Sequence, residues 1–274
     1  MQEIEITRIE PGSSRVAPEL RDIWRHRELL YFLTWRDVKI RYKQTAIGIF
    51  WAVLQPVLTT AIFTVIFSRF AKFDTSDVPY PLFALSGLTV WLFVHTSVTT
   101  ASASFVSNTN LVTKVYFPRL IVPLASVLAA LFDLIFSFAV VVLMMVYYRT
   151  YPGTNVLLVP VFIFLSLVLA SSFGILFSAL NVRFRDVKFA LPFLLQVWMI
   201  ASPIFYPLSL LSDNWKLLFA VNPLTGILEG LRSSFFGTAF DWQVIGISCG
   251  SLAVILVVSL AVFKWMEDDF ADLI

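Results

Sequence analysis

Hydrophobic positions in this chain form long runs and do not alternate with polar ones. Three stretches, 44–68, 78–113 and 120–132, contain no Asp, Glu, Lys or Arg. A helix needs about 20 mostly apolar residues to cross the hydrocarbon core of a bilayer. By that measure the pattern predicts six spans, at roughly 48–68, 81–104, 120–148, 155–180, 189–207 and 243–263. We therefore expect an all-α, polytopic membrane protein, because these runs are too long for the strands of a membrane barrel.

The segment between the fifth and sixth spans, 208–242, is too mixed to cross. Its uncharged stretches, 217–228 and 233–240, hold only 12 and 8 residues. The pattern suits two short helices that dip into the membrane and return, which is tolerated where such backbone is buried in protein or lines a cavity. A surface hairpin is the alternative interpretation.

Composition agrees with the pattern. The 274 residues are 58% hydrophobic and 14% charged, with a mean hydropathy of +0.83, whereas soluble domains are about a quarter charged. A chain of this size could not bury so much apolar surface in one soluble core. These figures exclude a soluble enzyme, a nucleic-acid-binding module and a disordered chain. The single cysteine, Cys249, excludes an intramolecular disulfide.

The basic residues predict the orientation. With six spans both termini lie on one side, and 15 of the 20 Lys and Arg residues fall on that side. Loops rich in Lys and Arg stay in the cytoplasm. We expect a cytoplasmic N-terminal segment (1–47), a transmembrane domain (48–263) and a cytoplasmic C-terminal tail (264–274).

The end of the N-terminal segment is compatible with an amphipathic helix. Its apolar residues recur on one face and its basic residues on another: Tyr31, Trp35, Val38 and Tyr42, and Arg36, Lys39 and Lys43. An aromatic stripe beside a basic face is typical of a helix in the headgroup region. Such a helix could also touch a cytoplasmic partner, or simply pack on the protein.

A few polar and aromatic residues lie deep in the apolar runs. Asp133 is the one carboxylate placed deep in a span, without an evident cationic partner. A charge at that depth costs ~2.5–3.5 kcal/mol on insertion scales, so it marks either a translocation path or a structural contact. Trp91, Trp198 and His95, which begins the hydroxyl-rich stretch 95–107, either pack helices together or line a path in which sugar rings stack on aromatic faces.

Two predicted cytoplasmic connections, 108–119 and 181–188, combine polar and basic residues. They could be topological anchors or could dock a soluble subunit. The chain contains no Gly-x-x-x-x-Gly-Lys-Ser/Thr phosphate loop, no His-Glu-x-x-His and no Gly-x-Ser-x-Gly. We therefore expect no catalytic residues, no metal site and no cofactor on this chain.

Five motifs, in this order, resemble the type-2 ABC exporter permeases. They are residues 29–56 (LLYFLTWRDVKIRYKQTAIGIFWAVLQP), Phe-Pro-Arg at 117–119, Arg-Phe-Arg-Asp at 183–186, Ser-Pro-Ile-Phe-Tyr-Pro at 202–207 and Asn-Pro-Leu at 222–224. The resemblance covers about residues 18–265 and is strongest to the polysaccharide and polyol-phosphate export branch. Within that branch the chain looks most like the transmembrane subunits of Gram-negative O-antigen exporters.

The resemblance implies a homodimer that pairs with two copies of a separate ABC ATPase, which would bind ATP and Mg. It also implies export of a lipid-linked polysaccharide across the bacterial inner membrane. Export of another polymer such as capsule or teichoic acid, or of a drug or lipid, is the alternative within the fold. A secondary carrier is a third possibility, against which stand the single intramembrane acid and the lack of an evident internal repeat.

The resemblance and the polar positions together give candidate site residues. ATPase-coupling residues would be Asn110, Lys114, Tyr116, Phe117, Pro118, Arg119, Arg183, Arg185 and Asp186. The interface helix would present Tyr31, Trp35, Arg36, Lys39, Tyr42 and Lys43. The translocation path would include Trp91, His95, Asp133 and Trp198. The outer gate would include Tyr206, Asn222, Pro223, Glu229 and Arg232.

Overall fold

The computed structural model describes residues 22–43, 50–70, 78–268 and 270. In this part of the chain all regular structure is helical, which confirms the all-α class. After a helical turn at 22–25, the helices are α1 Arg27–Lys43, α2 Phe50–Phe70, α3 Tyr80–Ser107, α4 Thr109–Lys114, α5 Ile121–Tyr147, α6 Val159–Arg183, α7 Val187–Ile200, α8 Asp213–Ala220, α9 Pro223–Phe236 and α10 Trp242–Glu267. Two 3₁₀ turns, Thr154–Leu158 and Leu208–Leu210, precede α6 and α8. Most of the predicted N-terminal segment 1–47 and the end of the tail 264–274 lie outside the described residues.

Four helices are long and apolar enough to cross a membrane: α3, α5, α6 with its preceding turn, and α10. Two further apolar helices, Phe50–Ile66 within α2 and α7, are shorter. The 14 residues of α7 rise about 21 Å at about 1.5 Å per residue, less than the ~30 Å of a hydrocarbon core. The predicted fifth span, 189–207, is therefore helical only to Ile200. The count of six spans stays a prediction.

Helix α3 is the centre of the bundle and packs against α2, α5 and α6. Small residues allow α3 and α6 to approach closely. A Cβ added to Gly174 of α6 would lie only 2.9 Å from the Cβ of Ala101 in α3. Three hydroxyl residues of the polar stretch in α3, Ser97, Ser102 and Ser104, are buried. Within one copy of the chain these three pack helices together, since small hydroxyl residues let helices approach closely.

A second, smaller core lies at the end of the bundle where α3 ends and α5 begins. We call it the loop-side core, and its buried members include Leu33, Phe105, Val112, Phe117, Leu120, Ile121, Phe263 and Phe270. It brings α1, the segment 108–119 and the end of α10 against one another. Three segments far apart in sequence are thus held by one apolar cluster.

Two short helices, α8 and α9, occupy the segment predicted to hold two. Asn222 caps α9, because its Oδ1 accepts a hydrogen bond from the Leu224 amide at 3.2 Å, and Pro223 begins the helix. Gly237 ends α9 with φ +71°, the left-handed conformation that favours glycine at this position. Helix α9 is buried almost throughout and packs against α6 and α10. Its re-entry into the membrane stays a prediction.

The contact between α9 and α10 leaves no room at Gly226. The Gly226 amide donates to Ser248 Oγ at 3.0 Å, and a Cβ added there would lie 2.5 Å from Ser248 Cβ and 3.1 Å from Ile245 Cα. We expect Gly226→Ala to cost about 1–3 kcal/mol through overpacking. The midpoint of thermal unfolding of the detergent-solubilised protein measures this.

Gly250→Ala is the matched control. Gly250 lies in the same helix pair, but an added Cβ meets nothing within 4 Å, so alanine should keep or raise stability by up to about 1 kcal/mol. Equal losses in the two variants would contradict the close packing of α9 on α10.

Candidate functional site

The segment 108–119 is anchored by some of its side chains and exposes others. Asn108 donates from Nδ2 to the Ser104 carbonyl at 2.7 Å, and Phe117 is buried in the loop-side core. Asn110, Lys114 and Tyr116 are exposed, and Tyr116 is 82% exposed. The predicted coupling segment therefore combines a fixed inner face with an outer face open to a partner.

The Arg119 side chain contacts the C-terminal end of its own chain's helix α10. Its guanidinium donates to the Glu267 carbonyl at the end of α10 and lies 5.8 Å from the Phe270 ring centroid. A cation at the C-terminal end of a helix is favourable because the last carbonyls there lack intrahelical donors. The structure thus places Arg119 where the predicted coupling segment meets α10.

The second predicted loop, 181–188, meets the same end of α10. The Arg183 guanidinium lies 5.1 Å from the Trp265 ring centroid, and Asn181 donates from Nδ2 to the Ser102 carbonyl at 2.9 Å. Arg185 and Asp186 are exposed. Trp265, Glu267 and Phe270 therefore connect both predicted coupling loops. The sequence did not indicate this role, because Trp265 and Phe270 also suit a simple membrane anchor.

Helix α1 packs on the bundle with one face and leaves others exposed. Leu33 and Val38 are buried, and the Trp35 ring lies 6.2 Å from that of Phe132 in α5. The exposed residues of the predicted interface helix are Tyr31, Trp35, Lys39 and Lys43, whereas Arg36 and Tyr42 are half-buried. Arg36 pairs with Asp37 at 2.8 Å.

A cleft of about 420 Å³ joins α1 to the coupling segment. It is lined by Arg36 and by residues 106–111, which include Asn108 and Asn110. The two elements that the sequence predicted separately as partner-binding are thus neighbours. We call this surface the α1–α4 cleft.

Asp133 has a cationic partner after all, because Arg41 of α1 forms an ion pair with it. The sequence gave no indication of this pair, since the two residues lie 92 positions apart in segments of different character. A cavity of about 270 Å³ lies beside the pair and is lined also by Gln55, Thr89 and Ser137.

The two tryptophans predicted for the translocation path touch each other. Trp91 is buried, and its ring is perpendicular to that of Trp198 at 5.7 Å and tilted to that of His95 at 6.0 Å. Trp198 donates from Nε1 to Asn222 Oδ1 at 3.0 Å, and Asn222 donates from Nδ2 to Ser202 Oγ at 2.8 Å. Residues predicted for the path and for the gate therefore form one hydrogen-bonded group.

Arg232 of α9 is a buried cation with several polar neighbours, while its Nε has no hydrogen-bond partner among the described residues. Its Nη1 donates to the Pro203 carbonyl and its Nη2 to the Ile204 carbonyl, both at 2.7 Å. Glu229 lies 3.4 Å from Nη1, and the guanidinium stacks 3.6 Å from the centroid of the Phe83 ring. This cluster holds the turn after α7 against α3 and α9.

Tyr206 lies in the same turn. It donates from its hydroxyl to the Ile200 carbonyl at 3.2 Å. In the described residues no group of three or more His, Cys, Asp or Glu could hold a metal ion.

An all-helical bundle with four helices long and apolar enough to cross a membrane is the architecture of a multi-pass membrane protein. Residues 28–236 match the ABC-2 type transporter family, and the chain belongs to that family.

Relatives of known role cover almost the whole chain. The chain shares 27% identity with the O-antigen export system permease protein RfbA of Myxococcus xanthus, over 92% of this chain and 98% of the relative. It shares 25% identity with the protein of the same name from Klebsiella pneumoniae, over 90% and 95%. It also shares 25% identity with the polysialic acid transport protein KpsM of Escherichia coli, over 85% and 91%.

Replacing Arg232 should destabilise the protein strongly. Arg232→Met leaves Glu229 and two carbonyls without their buried donor, and breaking a buried ion pair costs about 3–5 kcal/mol. We expect a large fall in the thermal midpoint of the detergent-solubilised protein.

Lys216→Met is the matched control, because Lys216 pairs with Asp213 at the same sequence spacing but with the Asp213 side chain 95% exposed. An exposed pair contributes about 0–1 kcal/mol. Similar losses in the two variants would contradict the clamp that we assign to Arg232.

Proposed function

We propose that this chain is the permease subunit of an ABC transporter that exports a lipid-linked polysaccharide of O-antigen type across the bacterial inner membrane. The observation that carries the proposal is the agreement of relatives over nearly the whole chain. RfbA of two organisms and KpsM are all named for moving polysaccharides. Capsule-type polysaccharide is the second candidate, favoured by the polysialic acid transport protein among the relatives.

A separate ATPase would supply the energy. The chain has no phosphate loop of its own, so hydrolysis of ATP with Mg belongs to the partner. The partner would bind the exposed side chains of both coupling loops and the α1–α4 cleft, which lie towards the end of the bundle where α10 ends. Arg119 and Arg183 tie both loops to the end of α10, so force applied to either loop would reach the same helix.

A homodimer forms part of the proposal. Helix α7 exposes Phe189, Phe193, Val197 and Ile200 along one side, and it has few contacts within its own chain. A second copy would cover such a face, and six spans from each copy would enclose the path for the glycan. The outer gate would be α8 and α9, which the Arg232 cluster and the Asn222 network hold in place.

Removing the Tyr116 side chain should weaken the contact with the ATPase. A hot-spot aromatic residue contributes about 2 kcal/mol or more to an interface, and its removal corresponds to more than a tenfold loss of affinity. We expect Tyr116→Ala and Asp186→Asn to lower co-purification of the co-expressed ATPase and to lower surface glycan by about tenfold.

Tyr151→Ala is the control, because Tyr151 is equally accessible, 76% exposed, but lies at the opposite end of the bundle. Unchanged retention of the ATPase by both loop variants would contradict the docking assignment. An equal loss of ATPase co-purification and of surface glycan in the Tyr151→Ala variant would contradict the location of Tyr151 at the opposite end of the bundle.

Labelling with a membrane-impermeant maleimide tests the six spans and the cytoplasmic termini. In a Cys249→Ala background, single cysteines replace the exposed residues Tyr31, Tyr151, Trp215 and Asp268. We expect labelling of positions 151 and 215 in intact spheroplasts, and of positions 31 and 268 only after permeabilisation, because 15 of 20 basic residues lie on the side of the termini.

Each departure from that pattern has a distinct meaning. Labelling of position 31 from outside would show that α2 does not cross. Protection of position 215 would show that α7 does not cross.

A further inference from the structure

Helix α1 is docked on α5 by a row of side chains at helical spacing. Leu33, Asp37 and Arg41 recur every fourth residue, so they share one face of α1. Leu33 is buried in the loop-side core, Asp37 Oδ2 accepts a hydrogen bond from Ser126 Oγ at 3.2 Å, and Arg41 forms an ion pair with Asp133. Both Ser126 and Asp133 lie on α5, so the contact extends along that helix.

The Arg41–Asp133 pair is the deepest of these contacts. Asp133 lies 12 positions after Ile121, where α5 begins, which is a rise of about 18 Å. The two side chains are 24% and 21% exposed. The second carboxylate oxygen, Asp133 Oδ1, is buried and accepts no hydrogen bond within the described part of the chain. The Asp133 charge therefore depends on Arg41, since a lone charge among apolar residues is costly.

The two helices joined by this pair are the ones that an ATPase would hold. Helix α1 lines the α1–α4 cleft through Arg36. Helix α5 follows directly on the coupling segment 108–119, whose Phe117 shares the loop-side core with Leu33. The coupling segment is connected to α5 through the backbone. Helix α1 is connected to α5 only through the side chains of this face.

We propose that Arg41 and Asp133 are positioning residues for transport, which make α1 and α5 move as one body during the ATP-driven cycle. This inference rests on the proposed function. A push on α1 then reaches the middle of α5 directly, and does not pass only through the loop-side core. Without the pair, α1 can move on the surface while α5 lags behind, so hydrolysis continues and export fails.

The experiment compares hydrolysis with export in the complete complex with its ATPase. Asp133→Asn keeps size and polarity, and Arg41→Gln keeps polarity with a shorter side chain; each removes the ion pair. We expect complex assembly and ATP hydrolysis within about twofold of the wild type and surface glycan reduced by about tenfold, so that export per ATP falls at least about fivefold. The exchange Arg41→Asp with Asp133→Arg should restore export to at least half of the wild-type amount.

Two controls make the same chemical changes elsewhere. Arg27→Gln and Glu28→Gln each alter an exposed residue in the first turn of α1. Both should export normally. A parallel fall of assembly, hydrolysis and export in Asp133→Asn would show a purely structural contact and would overturn the proposal.

Cross-linking keeps the proposal testable where the exchanged pair does not fold. Asp37→Cys with Ser126→Cys, in the Cys249→Ala background, places two thiols at a contact now 3.2 Å wide. A short bifunctional thiol reagent then joins α1 to α5. We expect the joined protein to export, and the cross-link to restore export to the Asp133→Asn variant.

If cross-linking abolishes export, α1 and α5 must separate during transport. If the cross-link does not rescue Asp133→Asn, the pair acts in another way. Either result would overturn the proposal. The wild-type complex reports separately on the proposed function: absence of ATPase binding and of glycan export there would refute that function, whatever the variants do.

Discussion

Lipid supplies no hydrogen bonds, so a membrane bundle must satisfy internally every break in its helices. In the break after α7, two side chains satisfy three backbone carbonyls. Arg232 donates to the carbonyls of Pro203 and Ile204, and Tyr80 donates to the carbonyl of Phe205 at 3.1 Å. A guanidinium suits this role because its planar fork reaches two acceptors at once, while its face stacks on the Phe83 ring. The location of α9, and through Asn222 the contact with Trp198, follow from this clamp.

The clamp also explains a glycine at a place where α3 would otherwise favour a larger residue. A Cβ added to Gly87 would lie 2.6 Å from Arg232 Nη2 and 2.9 Å from the Ile204 carbonyl. The absence of a side chain there lets the cation enter between α3 and the turn. Glycine lowers the helix propensity of α3 at this position, but it makes room for the buried contacts of Arg232. A propensity scale alone does not include those contacts.

The class of fold could be predicted from hydrophobic pattern, because the length of an apolar run is a local property of the chain. The second span, predicted at 81–104, is α3 from Tyr80 to Ser107, and two short helices lie in the mixed segment before α10. The fifth span was predicted too long, because apolar residues continue past Ile200 while Ser202–Pro203 and Pro207 stop the helix.

The pairs within the candidate sites could not be predicted from the sequence in the same way. In the sequence, Arg41 is one of several basic residues before the first predicted span, and Asp133 is an isolated acid in the third. Their pairing depends on how α1 lies on α5, which hydrophobic periodicity does not specify. The same holds for Arg119, whose acceptor is a backbone carbonyl of Glu267. Every residue has a backbone carbonyl, so the sequence does not indicate which one Arg119 contacts.

The positions of proline suggest where such a bundle can change shape. Helix α3 is long, mostly buried and continuous, and it touches Arg232 near one end and the coupling segment at the other. Within the described helices, Pro56 lies inside α2 and Pro192 lies inside α7. Both helices expose much of their surface. A proline removes one hydrogen bond from the helical ladder and allows a bend there. Motion that α3 cannot absorb would therefore be taken up by α2 and α7, whose exposed faces a second copy would cover in the proposed dimer.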